Sequence, residues 1–372
     1  MMNYSFLYQQ IVNGYSSLPL HLLPGYSLPP LQLFLEVTYN CNLSCDFCQF
    51  LQSSDSGSMP ASANRFELSI GECHNIVEQA PPTAVISFTG GEPFVKAGFA
   101  DLLGAASERN KTHIFTNGTR IGGKTAESLV DLGSRNLLTP GLILVGISLE
   151  GLADTHNRIT GRPWAYAKTI EGLHSLAHYK ASKNRKYPLI ELKTVISENN
   201  VRELYAIYQV AKQCRVDIFN VMAMSMLPQA SRTGRCAAGS YLEPPPPVKP
   251  VAPVILEEQL RRIQEDAARS EIQLRTTPQG FDFREIINHY HDKRRLAGYR
   301  CYYPWYGVGI SAYGDLLICP YTVTGNVREH RIKTLLNNRR ARIFRKHLQA
   351  ARIFPGCWGC CMLVPRKPRL PR

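Results

Sequence analysis

The run Leu31-Gln-Leu-Phe-Leu-Glu-Val37 leads directly towards Cys41-Asn-Leu-Ser-Cys-Asp-Phe-Cys48. Its alternation of apolar and polar residues reads as a strand with one buried face. The C-x3-C-x2-C spacing then puts three thiols in the loop that leaves the strand. Three thiolates can hold three corners of a cubane iron–sulfur cluster and leave the fourth iron open to a ligand. Structural zinc is the competing reading, but it takes four closed donors. No His or fourth Cys stands close to this loop, and the nearest histidines, His21 and His74, lack ligand spacing.

Outward from this loop, short β-branched or apolar runs alternate with amphipathic stretches as far as about Leu227, the pattern of βα units around a parallel sheet. The predicted strands are Leu31 to Val37, Ala84 to Phe88, Thr112 to Thr116, Leu142 to Ser148, Leu189 to Ile196 and Ile218 to Ala223. Ser69 with Glu72 gives a capping-box start to a helix ending near Gln79. Further helices are expected over Thr125 to Leu132, Tyr166 to His178, Val201 to Cys214 and Glu257 to Ala268. Four consecutive prolines, Pro244 to Pro247, cannot continue a helix or a central strand, so the expected division is 1–30 without assigned structure, 31–240 barrel, 241–256 linker and 257–372 C-terminal domain.

Residues that could carry chemistry recur at the ends of these strands. Phe88-Thr-Gly-Gly-Glu-Pro93 ends the second, Thr116-Asn-Gly118 the third and Ile147-Ser-Leu-Glu-Gly151 the fourth. The carboxyl ends of parallel strands are where barrel folds build active sites. Read singly, Gly90 with Gly91 is a turn, Asn117 and Ser148 are turn caps, and Phe47 is a packing residue. A second cysteine set follows, Cys301-x12-Gly314-x4-Cys319 and then Cys357-x2-Cys360, with Tyr313-Gly-Asp315 as a tight turn that brings the first pair together. Four thiols in two pairs can close a zinc site or hold a cluster. Cys361 is an alternative ligand to Cys360. Cys73, Cys214 and Cys236 have no partner at ligand spacing and read as plain thiols.

Together these motifs resemble the radical S-adenosylmethionine (SAM) superfamily, with a C-terminal extension similar to its twitch/SPASM domains. The resemblance implies an α/β fold, a partial (β/α)6 TIM-like barrel followed by a small cysteine-rich domain. It implies that Cys41, Cys45 and Cys48 hold a [4Fe-4S] cluster whose open iron is chelated by SAM. Reductive cleavage would then give a 5′-deoxyadenosyl radical that abstracts a substrate hydrogen. It further implies that Gly90, Gly91 and Glu92 orient the SAM amino group, that Ser148 and Glu150 face its ribose and carboxylate, and that Asn117 joins the same site. Phe47 takes the aromatic position near adenine, and Arg158 a carboxylate-binding one, within a His156–Gly161 stretch where Asn157 and Thr160 depart from the family pattern. Cys301, Cys319, Cys357 and Cys360 would hold one auxiliary [4Fe-4S] cluster, because no cysteine follows Cys361 to complete a second, and Trp305 and Trp358 would flank it. The implied partners are a peptide or protein substrate, or alternatively a small molecule to be oxidised, and a flavodoxin- or ferredoxin-type reductant.

The charge offers a reading from another class. The chain has 372 residues and a formal charge of +14, and from Cys301 onward 13 Lys and Arg face 2 Asp and Glu. A metal-cluster protein that binds nucleic acid through this face would fit such a patch. A solvated helix face is the preferred reading, since no aromatic-rich RNA signature accompanies it. An electron-transfer module would leave the Gly-Gly-Glu-Pro segment unexplained. Apolar content of 44% with 19% charge excludes collagen-like and disordered chains. No apolar run is long enough for a membrane span, and the first basic residue is Arg65, so a cytoplasmic protein is expected.

Overall fold

A computed structural model describes residues 4–48, 66–225, 240–279, 281–291, 296 and 298–365. Seven strands lie side by side in chain order and all run parallel: β1 (Gln32–Thr38), β2 (Val85–Gly90), β3 (Lys111–Thr116), β4 (Gly141–Ser148), β5 (Leu189–Val195), β6 (Ile218–Met222) and β7 (Gln273–Thr277). The six strands expected from the sequence are present to within about two residues at each end. Helices α2 (Ile70–Gln79), α3 (Phe99–Arg109), α4 (Gly123–Asp131), α5 (Ala153–Thr160), α6 (Ala165–Ser182), α7 (Leu204–Gln213) and α8 (Pro253–Ala267) fill the connections. They follow α1 (Tyr4–Leu22) in the chain.

Alternation in β1 explains how the barrel wall forms. Leu33, Leu35 and Val37 are fully buried in one cluster with Ile76, Val77, Leu102 and Leu103 of α2 and α3, each side chain contributing roughly 1.5–3 kcal/mol by leaving water. The intervening residues face the concave side, where Gln32 Nε2 donates to Ser87 Oγ at 2.9 Å. The capping box at Ser69 and Glu72 is closed in both directions, as the sequence predicts.

Three features differ from the expectations. Residues 4–22 form a helix where no structure was assigned. Pro19 stands in its last turn, where it gives up the one ladder bond to the Tyr15 carbonyl, and Val12 packs on Tyr302, Tyr303 and Tyr306. β7 is the second difference: Gln-Leu-Arg-Thr-Thr has no apolar periodicity, because its face towards the barrel is polar. It extends the barrel sheet beyond the proline-rich stretch. Thirdly, the C-terminal region joins the sheet at its other edge. β8 (Tyr299–Cys301) leads through α10 (Tyr303–Tyr306) into β9 (Gly307–Ile310), which pairs parallel with β1, and β10 (Asp315–Cys319) and β11 (Thr322–Asn326) continue antiparallel. The result is one ten-stranded sheet from β11 to β7. α9 (Phe283–Tyr290) precedes this region, while α11 (Ile332–Leu336) and α12 (Arg339–Ala351) cross it before β12 (Leu363–Pro365) pairs with β8. Among the described residues no helix is long and apolar enough to cross a membrane.

Candidate active site

Cys41 to Cys48 leave β1 in a loop that is pinned from the side by α5. Ser44 N donates to Thr160 O at 2.9 Å, Asp46 N to Ile159 O at 3.1 Å, and Cys48 N to Cys45 O at 3.0 Å. Gly161 ends α5 with φ 66°, and a Cβ there would stand 2.4 Å from Ser44 Oγ. The glycine therefore serves both the left-handed turn and the fit of the cysteine loop.

The β2 loop closes over the same segment. Gly91 N donates to Thr38 O and Glu92 N to Asn40 O, at 2.7 and 2.9 Å. A Cβ on Gly90 would lie 2.2 Å from Thr38 O, and one on Gly91 2.3 Å from Asn40 O. The two glycines thus admit the backbone that leads into the cysteines. Glu92 is wholly buried and turned inward: its carboxylate accepts from Thr116 Oγ1 at 2.8 Å, Asn117 N at 2.8 Å and Phe94 N at 3.1 Å. Asn117 Nδ2 donates to Asn42 Oδ1 at 2.9 Å and lies 3.8 Å from Cys41 Sγ. Glu92 and Asn117 together therefore fasten the ends of β2 and β3 to the thiol loop.

Ser148 ends β4 half-buried, in register with Lys193 of β5. Glu150 is buried and accepts from Val195 N at 2.9 Å, and burial pushes its carboxyl up to about 8. Its backbone N–H donates to His156 Nδ1 at 2.9 Å, and its carbonyl accepts from Asn200 Nδ2 at 2.9 Å. Arg158 points outward, donating to Asn199 Oδ1 at 3.0 Å. Phe47 is half-buried between the second and third thiols. Burial, followed by the charges of Glu150, Cys48 and Cys41, pushes the Cys45 thiol well above its ordinary range, and Cys41 is raised by burial too. Such thiols stay protonated until a metal stabilises the thiolates.

The second set gathers where β8, β10 and the turn before β12 meet. Cys301 ends β8, Cys319 ends β10, and Cys357 and Cys360 are buried in the turn, with Cys360 N donating to Cys357 O at 3.1 Å. Burial raises Cys301 and Cys357, and the charge of Cys357 adds to the effect on Cys301. Tyr303 is buried within the field of Cys319, Cys360 and Cys361. Cys361 itself is exposed. Trp358 packs against His289 and Phe281 with ring centroids 5.6 Å apart in both cases, and Trp305 is buried in α10. Cys73 and Cys214 are buried thiols, and Cys236 lies outside the described residues. Among the described residues no three Cys, His, Asp or Glu side chains meet closely enough to hold one ion.

Motif reading passed over several residues around this site. Asn200, fully buried, also donates to Val195 O at 2.8 Å and so shapes the β5 loop. Tyr290 OH donates to Ile196 O at 2.6 Å, tying α9 to the same loop. An Asn a few residues beyond a predicted strand is the only sequence signal for the first, and no local signal marks the second.

A family model for the radical SAM superfamily matches residues 35–185, the segment from β1 to α6. Residues 35–185 carry a radical SAM domain. A second model, the SPASM iron-sulfur cluster-binding domain, matches residues 301–361. Among curated relatives, it is 27% identical over 202 residues to the Fe-coproporphyrin III synthase of Methanosarcina barkeri, covering 54% of this chain and 45% of that one. The chain thus spans about half the length of that relative. The AdoMet-dependent heme synthase of the same organism is 24% identical over 343 residues, 88% and 86% of the two chains. The sporulation killing factor maturation protein SkfB of Bacillus subtilis is 28% identical over 200 residues, 53% and 42% of the two chains. Among solved structures, Streptococcus suis SuiB bound to S-adenosylmethionine superposes with a TM-score of 0.61 at 16% identity, covering 93% of this chain and 74% of that one. That likeness carries the fold.

These two domains imply a [4Fe-4S] cluster with SAM in the barrel and auxiliary iron–sulfur ligation in the C-terminal region. The donor chemistry fits both groups. The first loop offers three soft thiols on a backbone fixed by α5 and β2, and the second offers four, two of them buried.

Proposed function

We propose that this radical SAM chain is an enzyme that reductively cleaves SAM and abstracts a hydrogen from a peptide or protein substrate. The observation that carries the reading is the convergence of the β1, β2, β3 and β4 loops, through Glu92, Asn117 and α5, on one set of three thiols. When bound, the cluster and SAM supply the electron transfer and the 5′-deoxyadenosyl radical. The chain's own residues position and enclose. Cys41, Cys45 and Cys48 hold the cluster. Gly90 and Gly91 let the β2 loop lie flat against the Thr38–Asn40 backbone, and Glu92 keeps that loop in shape from beneath. Ser148 and Glu150 line the far side, where a mostly protonated Glu150 can donate as well as accept. Phe47 covers the loop, and Arg158 steadies its outer edge through Asn199. Cys301, Cys319, Cys357 and Cys360 hold an auxiliary cluster.

Support for a peptide substrate comes from the relative named as a killing-factor maturation protein. A flavodoxin- or ferredoxin-type protein is the reductant in this reading, and a cytoplasmic setting suits thiols that must stay reduced. The test is anaerobic cluster reconstitution followed by SAM and dithionite, with release of 5′-deoxyadenosine measured. Replacing Cys41, Cys45 and Cys48 by Ala should lower release at least a hundredfold and abolish the brown colour of the barrel cluster. Release at the wild-type rate from the triple variant overturns the reading.

A further inference from the structure

The concave face of the sheet is charged. Glu191, 1% exposed, accepts from Arg275 Nη1 at 2.7 Å and from Asn220 Nδ2 at 3.1 Å, so its charge is matched between β5, β6 and β7. Lys193, two residues further along β5, is not matched in this way. Among the described residues no carboxylate lies within ion-pair distance of its ammonium, which instead stands 3.7 Å from the centroid of the Phe115 ring. Its stem runs past Gly146, where a Cβ would be 3.2 Å from Lys193 Cδ and 2.8 Å from Phe115 Cδ1, so β4 is bare at the one place the lysine needs.

Other polar atoms nearby lack partners as well. Arg275 Nε and His113 Nε2 are buried with none among the described residues. Ser87 Oγ meets the other His113 nitrogen at 3.4 Å. The remaining carboxyl in the field of Lys193 is Glu150, which burial drives towards its neutral form. Burial lowers the pKa of Lys193 as well, and the face sets two basic side chains, Lys193 and Arg275, around Glu191, the one carboxylate there held in an ion pair. Lys193 is half-buried on the concave side without an ion-pair partner among the described residues, and nothing in the packing of β5 calls for a lysine, since the opposite face already supplies Ile190, Leu192 and Thr194 to the core.

Position gives the feature its meaning. Lys193 pairs in register with Ser148 at the SAM end of β4, and its charge also reaches Cys361 beside the second thiol set. A substrate lying between the two thiol sets would pass over it. Resting on the enzyme reading above, we propose that Lys193, backed by Arg275, seats a carboxylate of the substrate, the side chain of an acidic residue in the peptide. Glu191 holds Arg275 in place from behind, and Phe115 supports the ammonium from below.

The experiment uses the full, cluster-loaded chain and reads saturable shifts in melting temperature at constant ionic strength. The probes are N-acetyl-Gly-Glu-Gly-amide against N-acetyl-Gly-Gln-Gly-amide, and glutarate against glutaramide. The acidic probes should bind and the amides should not. Lys193→Met should weaken the acidic peptide at least tenfold, and Lys193→Arg should keep most of its affinity. Arg275→Met, which removes the backing cation, should weaken it severalfold and serves as the second variant if Lys193→Met does not fold. Equal response to acid and amide, or unchanged affinity in Lys193→Met, overturns the assignment. So does a loss of SAM affinity in that variant, which would move the lysine to the cofactor. Glutarate binding more tightly than the peptide overturns the peptide as bearer of the carboxylate. Failure of SAM cleavage with the probe response intact would strike only the enzyme reading.

Discussion

His156 shows how much one side chain sets at this site. It is 1% exposed, its Nδ1 accepts from Glu150 N, and burial pulls its pKa down to about 4 from 6.5. The unfolded chain therefore binds a proton at this residue before the folded one does. Its contribution to stability is complete above about pH 6.5 and is lost as the pH falls towards 4, with a ceiling of about 3 kcal/mol for a shift of this size. Urea unfolding at pH 7 and pH 5 should show the loss in the wild-type chain. His156→Asn keeps an acceptor for the Glu150 N–H without a titrating ring, and should flatten that part of the profile. An unchanged slope would remove His156 from the account. The same scale explains a limit of motif reading. Gly-Gly-Glu-Pro marks a loop at the site, yet Glu92 is the knot beneath the loop, because only the fold brings Thr116 and Asn117 to its carboxylate.

At the scale of elements, α5 and the β2 loop act as the jaws that shape the thiol loop. Gly161→Ala puts a methyl group against Ser44 and strains a φ of 66°. It should cost about 1–2 kcal/mol and reduce iron retained per chain by half or more after reconstitution and desalting. Full iron retention would mean that the loop is positioned without α5. Strands were readable wherever one face is apolar: Leu33, Leu35 and Val37 announce β1, and the unbroken run of β4 announces a strand buried on both sides. β7 was invisible because Arg275 and Thr277 serve the polar interior. α1 was invisible because Pro19 reads as a breaker while its partners, Tyr302, Tyr303 and Tyr306, lie some three hundred residues away. The thiols were legible from spacing alone. Lys193 and Arg275 were not, since a charged residue in a strand has no meaning until the curvature of the sheet assigns it to the inside.

For the whole molecule, the basic C-terminal region divides into two populations. Most of its cations face solvent, but Arg345 is fully buried, with Nε donating to Pro304 O at 2.6 Å, Nη1 to Gly25 O at 3.1 Å and Nη2 to Leu336 O at 2.8 Å. Burial lowers its pKa to about 9, so it remains a cation at neutral pH, held by carbonyls drawn from three distant parts of the chain. Arg345→Met should leave those carbonyls unpaired and cost roughly 2–4 kcal/mol. Hydrogen exchange should rise together around Gly25, Pro304 and Leu336. A variant within about 1 kcal/mol of wild type would show that the guanidinium is dispensable.

The junction of β9 with β1 has a consequence for spacing. Cys41 lies just beyond the carboxyl end of β1, whereas Cys319 ends the antiparallel β10, two places along the same ladder and level with the start of β1. The two sulfur nests are thus mounted at opposite ends of one shared wall, like terminals soldered to the two edges of one board. In the enzyme proposed above, the span between them is set by the ladder itself, and a substrate that bridges them has the length of that wall to cross.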